Sequence, residues 1–206
     1  MISRERCYSL YLATKFAAHN LKGDFVECGV WKGGAAMIIA LTLIEENKTD
    51  RKIYLYDTFS GMSEPTNKDI SVHTENLTAK HLWEKNQNQD HNDWCYASFD
   101  KVQTNMNSTG FPAQNIVYVK GKVEETIPTT IPKSIAILRL DTDLYESTKH
   151  ELHHLYPQVE RGGVIIFDDY GTWGGSKLAT DEFLLEEPLL LHRIDAYSRI
   201  AEKITI

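Results

Sequence analysis

Short apolar segments alternate with longer amphipathic segments along most of this chain. Five nearly continuous apolar runs cover residues 24–30, 52–57, 115–119, 135–141 and 163–169. Apolar runs without polar alternation are typical of strands that are buried on both faces of a parallel sheet. The segments between them with helical spacing are 35–46, 99–106, 145–159 and 177–187. This alternation predicts an α/β fold with a doubly wound sheet and right-handed crossovers.

The end of the chain departs from this alternation. Two strand-like runs, 189–195 and 199–206, are separated by a segment too short for a crossover helix. Only an antiparallel hairpin fits such a connection. We therefore predict a seven-stranded, mainly parallel sheet with a C-terminal antiparallel hairpin. This Rossmann-like architecture resembles that of class I S-adenosylmethionine-dependent methyltransferases, whereas a plain dinucleotide-binding domain usually lacks the hairpin.

Composition narrows the class of protein without naming a function. The chain has 206 residues, of which 42% are hydrophobic and 25% charged, and a formal net charge of −7. An acidic chain is a poor nucleic-acid or anionic-membrane binder, because such binding needs clustered Lys and Arg. The sequence has no apolar run long enough to span a membrane and no signal peptide, and its N-terminal residues have helical spacing. Three scattered cysteines (Cys7, Cys28 and Cys95) indicate a reduced, cytoplasmic protein.

We expect residues 1–206 to form a single domain, since the sequence contains no repeat and no flexible linker. Residues 62–96 form a long insertion after the second predicted strand, rich in Asn and His. Long insertions of this kind are more often functional loops or lids than filler. The insertion is therefore the predicted lid over a bound acceptor.

A glycine-containing turn follows the first predicted strand. Its sequence, ECGVWKGG, covers residues 27–34 and leads into a helix. Glycines at such a turn let the backbone approach a ligand closely and direct a helix N-terminus toward it. Glu27 would repel a pyrophosphate but suits the ammonium group of an amino-acid moiety. The alternative is a tight turn with a buried, paired Glu27.

Acidic residues end three of the other predicted strands. Asp57 ends the second, where α/β nucleotide sites bind a ribose diol, although it could also cap a helix or turn. Asp141 ends the fourth and Asp168 with Asp169 the fifth. Three carboxylates on neighbouring strand ends need a compensating cation or a shared proton, and hard oxygen donors suit Mg²⁺. Asp143 is either an extra metal ligand or the N-terminal cap of the following helix, and the cap is the preferred interpretation.

Five motifs together resemble the macrocin O-methyltransferase family. They are FVECGVWKGGAA, LYDTFSGM, VKGKVEETIP, LRLDTDLYEST with HLYPQV, and VIIFDDYGTWGGSKLATDEF, in that order along residues 23–183. The resemblance implies transfer of a methyl group from S-adenosylmethionine to a sugar hydroxyl, with Mg²⁺ as the second cofactor. Family members generally carry an N-terminal helical arm before the glycine turn, whereas 22 residues precede Gly23 here. In the family that arm helps to cover the acceptor site, so the resemblance specifies the reaction more closely than the acceptor.

The resemblance also assigns roles to individual residues. The methionine moiety is expected at Glu27 and Gly29, the ribose at Asp57, and the metal at Asp141, Asp168 and Asp169. The other cofactor-binding positions, including the adenine site at residues 121–123, are Val30, Trp31, Gly34, Thr58, Phe59, Gly121, Lys122, Val123 and Asp141 itself. A homodimer or higher oligomer is plausible by the same analogy.

Two residues are candidates for the base that deprotonates the acceptor hydroxyl. Asp141 adjoins both the expected metal and the cofactor, and His91 lies in the insertion, where the family has a His near the acceptor. Trp94 and Trp173 would stack on a sugar ring or pack in the core. Three other functions stay open: catechol-type O-methylation, a catalytically degenerate binding module, and a nicotinamide-dependent oxidoreductase, which the absence of G-x-G-x-x-G disfavours.

Overall fold

The computed structural model describes residues 2–74 and 77–204, and its centre is one sheet of seven strands. The strands are β1 (Asp24–Cys28), β2 (Ile53–Asp57), β3 (Ile116–Lys120), β4 (Ile135–Leu140), β5 (Val159–Phe167), β6 (His192–Arg193) and β7 (Arg199–Glu202). Their order across the sheet is β3-β2-β1-β4-β5-β7-β6. The pairs formed by β1 to β5 are parallel, and β7 is antiparallel to both β5 and β6. The predicted fold class is therefore confirmed.

Seven α-helices occur in the described part of the chain. They are α1 (Arg4–Asn20), α2 (Gly34–Glu45), α3 (Ala79–Lys85), α4 (Phe99–Asn107), α5 (Val123–Thr126), α6 (Tyr145–Leu155) and α7 (Gly174–Glu186). Four of them, α2, α4, α6 and α7, lie at the predicted positions, and α1 agrees with the helical spacing of the first residues. The short helices α3 and α5 were not expected from the pattern. None of these helices is long and apolar enough to cross a membrane.

Some predicted boundaries differ from those observed. Helix α6 ends at Leu155, and a 3₁₀ turn (Tyr156–Gln158) that contains Pro157 leads directly into β5. Strand β5 thus begins at Val159, four residues before the predicted run. The apolar pattern does not indicate this earlier start, because the first residues of the strand include polar Glu160 and Arg161. The hairpin strands are also shorter than predicted. Residues 205–206 of the second predicted run lie outside the described part of the chain.

Side chains that alternate along the strands form a separate apolar core on each face of the sheet. Phe25 of β1 packs in the core under α1, α2 and α4, with Ile39 of α2 among its members. The next residue, Val26, packs in the opposite core with Leu152 of α6. Glu27, two residues after Phe25, therefore faces the α1 side at the end of its strand. This alternation determines which helix can reach each side chain at the rim.

The insertion is attached to α6 by a buried carboxylate. Asp69 is fully buried, and its Oδ1 accepts a hydrogen bond of 2.8 Å from the backbone N–H of Tyr145, the first residue of α6. Its Oδ2 accepts hydrogen bonds from the backbone and the hydroxyl of Thr66. Asp143, which the sequence suggested as the cap, does not cap this helix; Leu144 occupies the cap position without a side-chain bond. Residues 75 and 76 of the insertion lie outside the described residues.

We predict that Asp69→Ala lowers the free energy of unfolding by about 2–4 kcal/mol, because it leaves the buried N–H group of Tyr145 and the half-buried N–H group of Thr66 without an acceptor. Urea denaturation followed by circular dichroism measures this difference. The matched control is Asp50→Ala at an exposed turn, for which a change of at most about 0.5 kcal/mol is expected. Equal stabilities of the two variants would contradict the capping role.

Candidate active site

A cavity opens where the parallel strands end. Its volume is about 680 Å³, and its walls come from the loops that follow β1, β2, β3, β4 and β5, together with the start of α1 and both ends of the insertion. Of the predicted site residues, those that line it are Glu27, Gly29, Val30, Trp31, Gly34, Asp57, Thr58, Gly121, Lys122, Val123, Asp141, Asp168 and Asp169. The topology therefore brings most of the predicted cofactor and metal positions into one space.

Asp57 holds the glycine turn in place. Its Oδ2 accepts hydrogen bonds from the backbone N–H groups of Val30 (2.7 Å) and Trp31 (3.0 Å). Its Oδ1 accepts one from Phe59 N–H at 2.7 Å. Burial raises the pKa of Asp57, although these hydrogen bonds counteract the shift. The carboxylate that the sequence assigns to a ribose thus also joins the loops after β1 and β2.

The loops around the cavity contain several residues with unusual backbone angles. Gly29 has a φ of 83°, and a Cβ atom there would lie 2.0 Å from the carbonyl oxygen of Asp141, so only glycine fits. Among the described residues, five non-glycine residues have positive φ, and four of them are in loops at or beside the cavity: Trp31, Phe59, Cys95 and Asp143. Such angles cost energy and concentrate at functional sites.

The three predicted metal ligands converge. One carboxylate oxygen from each of Asp141, Asp168 and Asp169 lies within 4.8 Å of the others. Burial raises the pKa of Asp169 well above its usual value, and the charges of Asp143 and Asp168 add to this shift. Asp169 Oδ2 is buried and has no hydrogen-bond partner in the described structure. A buried carboxylate oxygen without a donor is a suitable ligand for a cation.

Arg139 neutralises part of this acidic cluster. It lies in register beside Glu27, and its Nη1 donates to Glu27 Oε1 (2.6 Å) and to Asp141 Oδ2 (2.7 Å). Its Nη2 lies 2.8 Å from Asp168 Oδ1. Burial raises the pKa of Glu27 to about 7 in spite of the pairing with Arg139. The second oxygen of Glu27, Oε2, is buried and has no partner among the described residues, so it can accept a hydrogen bond from a ligand.

A second guanidinium reaches the cluster from helix α1. Arg6 Nη1 lies 2.5 Å from Asp168 Oδ2, and Arg6 Nε donates to Asp195 Oδ2 at 2.7 Å. Asp195 lies in the turn of the terminal hairpin and also accepts from the hydroxyl of Ser3, the N-cap of α1. Burial would raise the pKa of Asp168, but Arg139 and Arg6 together lower it below its usual value.

Asp143 belongs to the cavity wall. It neighbours Asp169 and Trp173, and burial together with the charge of Asp141 raises its pKa to about 7. Trp173 and Trp94 pack against each other, with ring centroids 5.5 Å apart, and both rings border the cavity beside these carboxylates. The acidic end of the cavity therefore has an aromatic wall, partly supplied by the insertion.

Two predicted site residues lie elsewhere. His91 is outside the cavity wall and pairs with Asp90 and Asp93 on the surface of the insertion. Phe59 points into the core against Phe99 and contributes only its backbone N–H to the site. These placements differ from the expected roles of His91 near the acceptor and of Phe59 against the cofactor.

Sequence reasoning missed two residues of the site, Arg139 and Arg6, and favoured a different role for a third, Asp143. Arg139 had a readable signal, since a lone charge inside an apolar strand run requires buried counter-charges. Asp143 was noticed but was interpreted chiefly as a cap. Arg6 had no signal at all, because its contact with Asp168 joins residues 162 positions apart.

Solved structures show the same fold. The O-methyltransferase NovP superposes on 99% of this chain and 81% of its own with a TM-score of 0.85 and 26% sequence identity. The calicheamicin methyltransferase CalS11 superposes on 97% of this chain and 80% of its own with a TM-score of 0.71. An O-methyltransferase from Bacillus cereus in complex with SAH covers all of this chain and 83% of its own, with a TM-score of 0.63. The last two are 21% and 12% identical to this chain, so they support the fold alone.

Sequence comparison leads to one family. Demethyldecarbamoylnovobiocin O-methyltransferase of Streptomyces niveus is 32% identical over 80% of this chain. Mycinamicin III 3''-O-methyltransferase of Micromonospora griseorubida is 30% identical over 82% of it. The matched stretches span 59% and 64% of the lengths of these two relatives. The sequence profile described as macrocin-O-methyltransferase (TylF) matches residues 1–198, and the chain belongs to this family.

Proposed function

We propose that this protein transfers the methyl group of S-adenosylmethionine to a hydroxyl of a sugar or glycosylated small molecule, with the help of a divalent cation. The observation that carries the proposal is the arrangement of one cavity. The glycine turn and Asp57 lie at one end, the carboxylates of Asp141, Asp168 and Asp169 converge at the other, and Glu27 lies between them, joined to Asp141 through Arg139. The matched relatives are named as O-methyltransferases of glycosylated antibiotics, which supports the same chemistry here.

The glycine-turn end fits the cofactor. Glu27 Oε2 is buried without a partner among the described residues, and it would accept a hydrogen bond from the ammonium group of the methionine moiety. Asp57 lies at the end of β2, where its carboxylate can accept from ribose hydroxyls while it holds the turn. Residues 121–123, which run from the end of β3 to the first residue of α5, border the remaining part of this end and would contact the adenine.

The pKa of Glu27 predicts that cofactor binding releases a proton. At pH 6.5 a carboxyl with a pKa of about 7 is mostly protonated, and an ammonium group beside it favours the ionised form. We expect the affinity for S-adenosylhomocysteine to rise with pH up to about 7 and then to level off. Calorimetry at pH 6.5 in buffers of different ionisation enthalpy measures the released proton.

The matched control for proton release is Glu27→Gln, which keeps the size of the side chain and cannot ionise. This variant should bind S-adenosylhomocysteine without releasing a proton. Proton uptake by the wild-type protein, or equal release by both proteins, would contradict the role of Glu27.

The acidic end fits a magnesium ion. Asp141, Asp168 and Asp169 supply the oxygen ligands that Mg²⁺ prefers, and the buried Asp169 Oδ2 lacks any other partner among the described residues. A divalent cation held there supplies positive charge that lowers the pKa of a nearby hydroxyl. The three strand-end residues would hold the cation.

Asp143 is the residue best placed to accept the proton of the acceptor hydroxyl. It borders the cavity next to Asp169, and it is not one of the three converging ligands. Asp141, the first candidate from the sequence, is engaged by Arg139 at 2.7 Å. A carboxylate within reach of the attacking hydroxyl takes the proton as the oxygen attacks the methyl carbon in line with the departing sulfur.

We predict that Asp143→Asn lowers kcat by roughly 10²- to 10⁴-fold, because the amide cannot accept the proton. Binding of S-adenosylhomocysteine should change little, since Asp143 lies at the other end of the cavity. His91→Gln is the comparison variant and should retain kcat. A loss of kcat in His91→Gln with a retained kcat in Asp143→Asn would reverse the assignment.

The acidic end of the cavity, where the acceptor would bind, is lined by Trp94 and Trp173, whose faces suit the C–H faces of a sugar ring.

The test of the proposed function is a methyl-transfer assay with purified protein, S-adenosylmethionine, and glycosides or catechols as acceptors, with Mg²⁺ or with EDTA. We expect transfer to glycosides that EDTA abolishes. Transfer only to catechols would indicate phenolic O-methylation, and full activity in EDTA would exclude the cation.

Since Cys7, Cys28 and Cys95 are free thiols, we propose that the enzyme works in the reducing cytoplasm.

A further inference from the structure

Arg6 brings a positive charge from the first turn of α1 into the acidic end of the cavity. Its Nη1 lies 2.5 Å from Asp168 Oδ2, and its side chain is only 10% exposed. Its Nε is bound by Asp195, and the Arg6 backbone N–H donates to the hydroxyl of Ser3. Contacts with Asp195 and Ser3, which lie outside the three-carboxylate cluster, thus hold Arg6 at the edge of that cluster.

Asp168 is in contact with a guanidinium at both of its oxygens. Arg139 Nη2 lies 2.8 Å from Oδ1, and Arg6 lies against Oδ2. Arg139 is 3% exposed and also pairs with Glu27 and Asp141, so its withdrawal would leave these two carboxylates without their guanidinium partner. Arg6 contacts one residue of the cluster and keeps Asp195 as a second partner. Of the two cations, Arg6 is therefore the one that can withdraw at small cost.

We infer that Arg6 is a built-in competitor of the divalent cation for Asp168. The inference rests on the proposed cation site and assigns Arg6 as a positioning residue of that site. Before the cation binds, the guanidinium neutralises Asp168 and keeps the carboxylates from repelling one another. A divalent cation beside Asp168 meets the positive charge of Arg6, so the two weaken each other's binding by the same factor.

Competition and a merely structural role predict opposite changes in cation affinity when Arg6 is removed. A residue that only supports the local fold lowers cation affinity when it is removed. Removal of a competing positive charge raises that affinity, because Asp168 Oδ2 loses its partner and the cluster becomes more negative. We expect Arg6→Gln to bind Mn²⁺, a paramagnetic substitute for Mg²⁺, about tenfold more tightly than the wild-type protein, near the low end of typical couplings between sites.

The experiment titrates Mn²⁺ into the full chain and counts free Mn²⁺ by electron paramagnetic resonance. The matched control is Arg4→Gln, which removes the same charge from the exposed side of the same helical turn. Arg4→Gln should bind Mn²⁺ like the wild-type protein. Equal tightening in both variants would reduce the effect to net charge and overturn the inference, as would an unchanged or weaker affinity in Arg6→Gln.

Asp169→Asn separates this inference from the proposed cation site, because it removes one ligand and leaves both guanidinium contacts of Asp168 in place. Mn²⁺ binding that survives in Asp169→Asn would remove the proposed cation site and the inference with it. Loss of binding in Asp169→Asn, combined with no gain in Arg6→Gln, would overturn the inference alone. No Mn²⁺ binding by any variant would overturn both.

Thermal unfolding checks that each variant is folded. If Arg6→Gln does not fold, Arg6→Lys decides, because a single ammonium group cannot reach Asp168 and Asp195 together as the guanidinium fork does. The lysine variant should bind Mn²⁺ more tightly than the wild-type protein, by a smaller factor than that expected for glutamine. An affinity equal to or below that of the wild-type protein would overturn the inference.

Discussion

The candidate site depends on one buried guanidinium. Arg139 projects from β4 at the rim of the sheet and contacts carboxylates from β1, β4 and β5. A buried charge is tolerated only when such partners surround it, and removing one of them is costly. The position also constrains the sheet, because a register slip by one residue would direct Arg139 into the apolar core under α6. The contacts of Arg139 therefore stabilise both the strand order β1-β4-β5 and the acidic site.

The charge of the cavity explains what it can bind. Seven acidic residues line the cavity together with four basic ones; they are Glu27, Asp57, Glu124, Asp141, Asp143, Asp168 and Asp169, and Arg6, Lys32, Lys122 and Arg139. The excess of negative charge suits ligands that carry positive charge, which S-adenosylmethionine does at its sulfonium and ammonium groups. Burial makes this preference stronger than the same charges would produce at the surface. A net charge of −7 spread evenly over the protein would produce no such selectivity.

The fold was readable from the sequence because its signals are local. Continuous apolar runs identified the five parallel strands, and the spacing of the two last runs identified the hairpin. The acidic strand ends were readable too, since strand ends of a parallel sheet meet at one rim. Loop conformation was not readable: Asp143 has a φ of 66° and turns into the cavity, although an Asp just before a helix usually caps it. The contacts of Arg6 required knowledge of where α1 packs, which no local pattern contains.

The cap of α6 has a consequence for how acceptor preference can change. Because Asp69 comes from the insertion and holds the first residue of α6, the segment that we propose shapes the acceptor site also fixes the loop that carries Asp143. The insertion and the loop that carries Asp143 are thus joined through one buried hydrogen bond. An exchange of residues 62–96 for the corresponding segment of a relative would alter turnover as well as selectivity, unless the new segment supplied its own acceptor for that N–H. Divergence in this part of the chain is therefore more restricted than the surface position of a loop suggests.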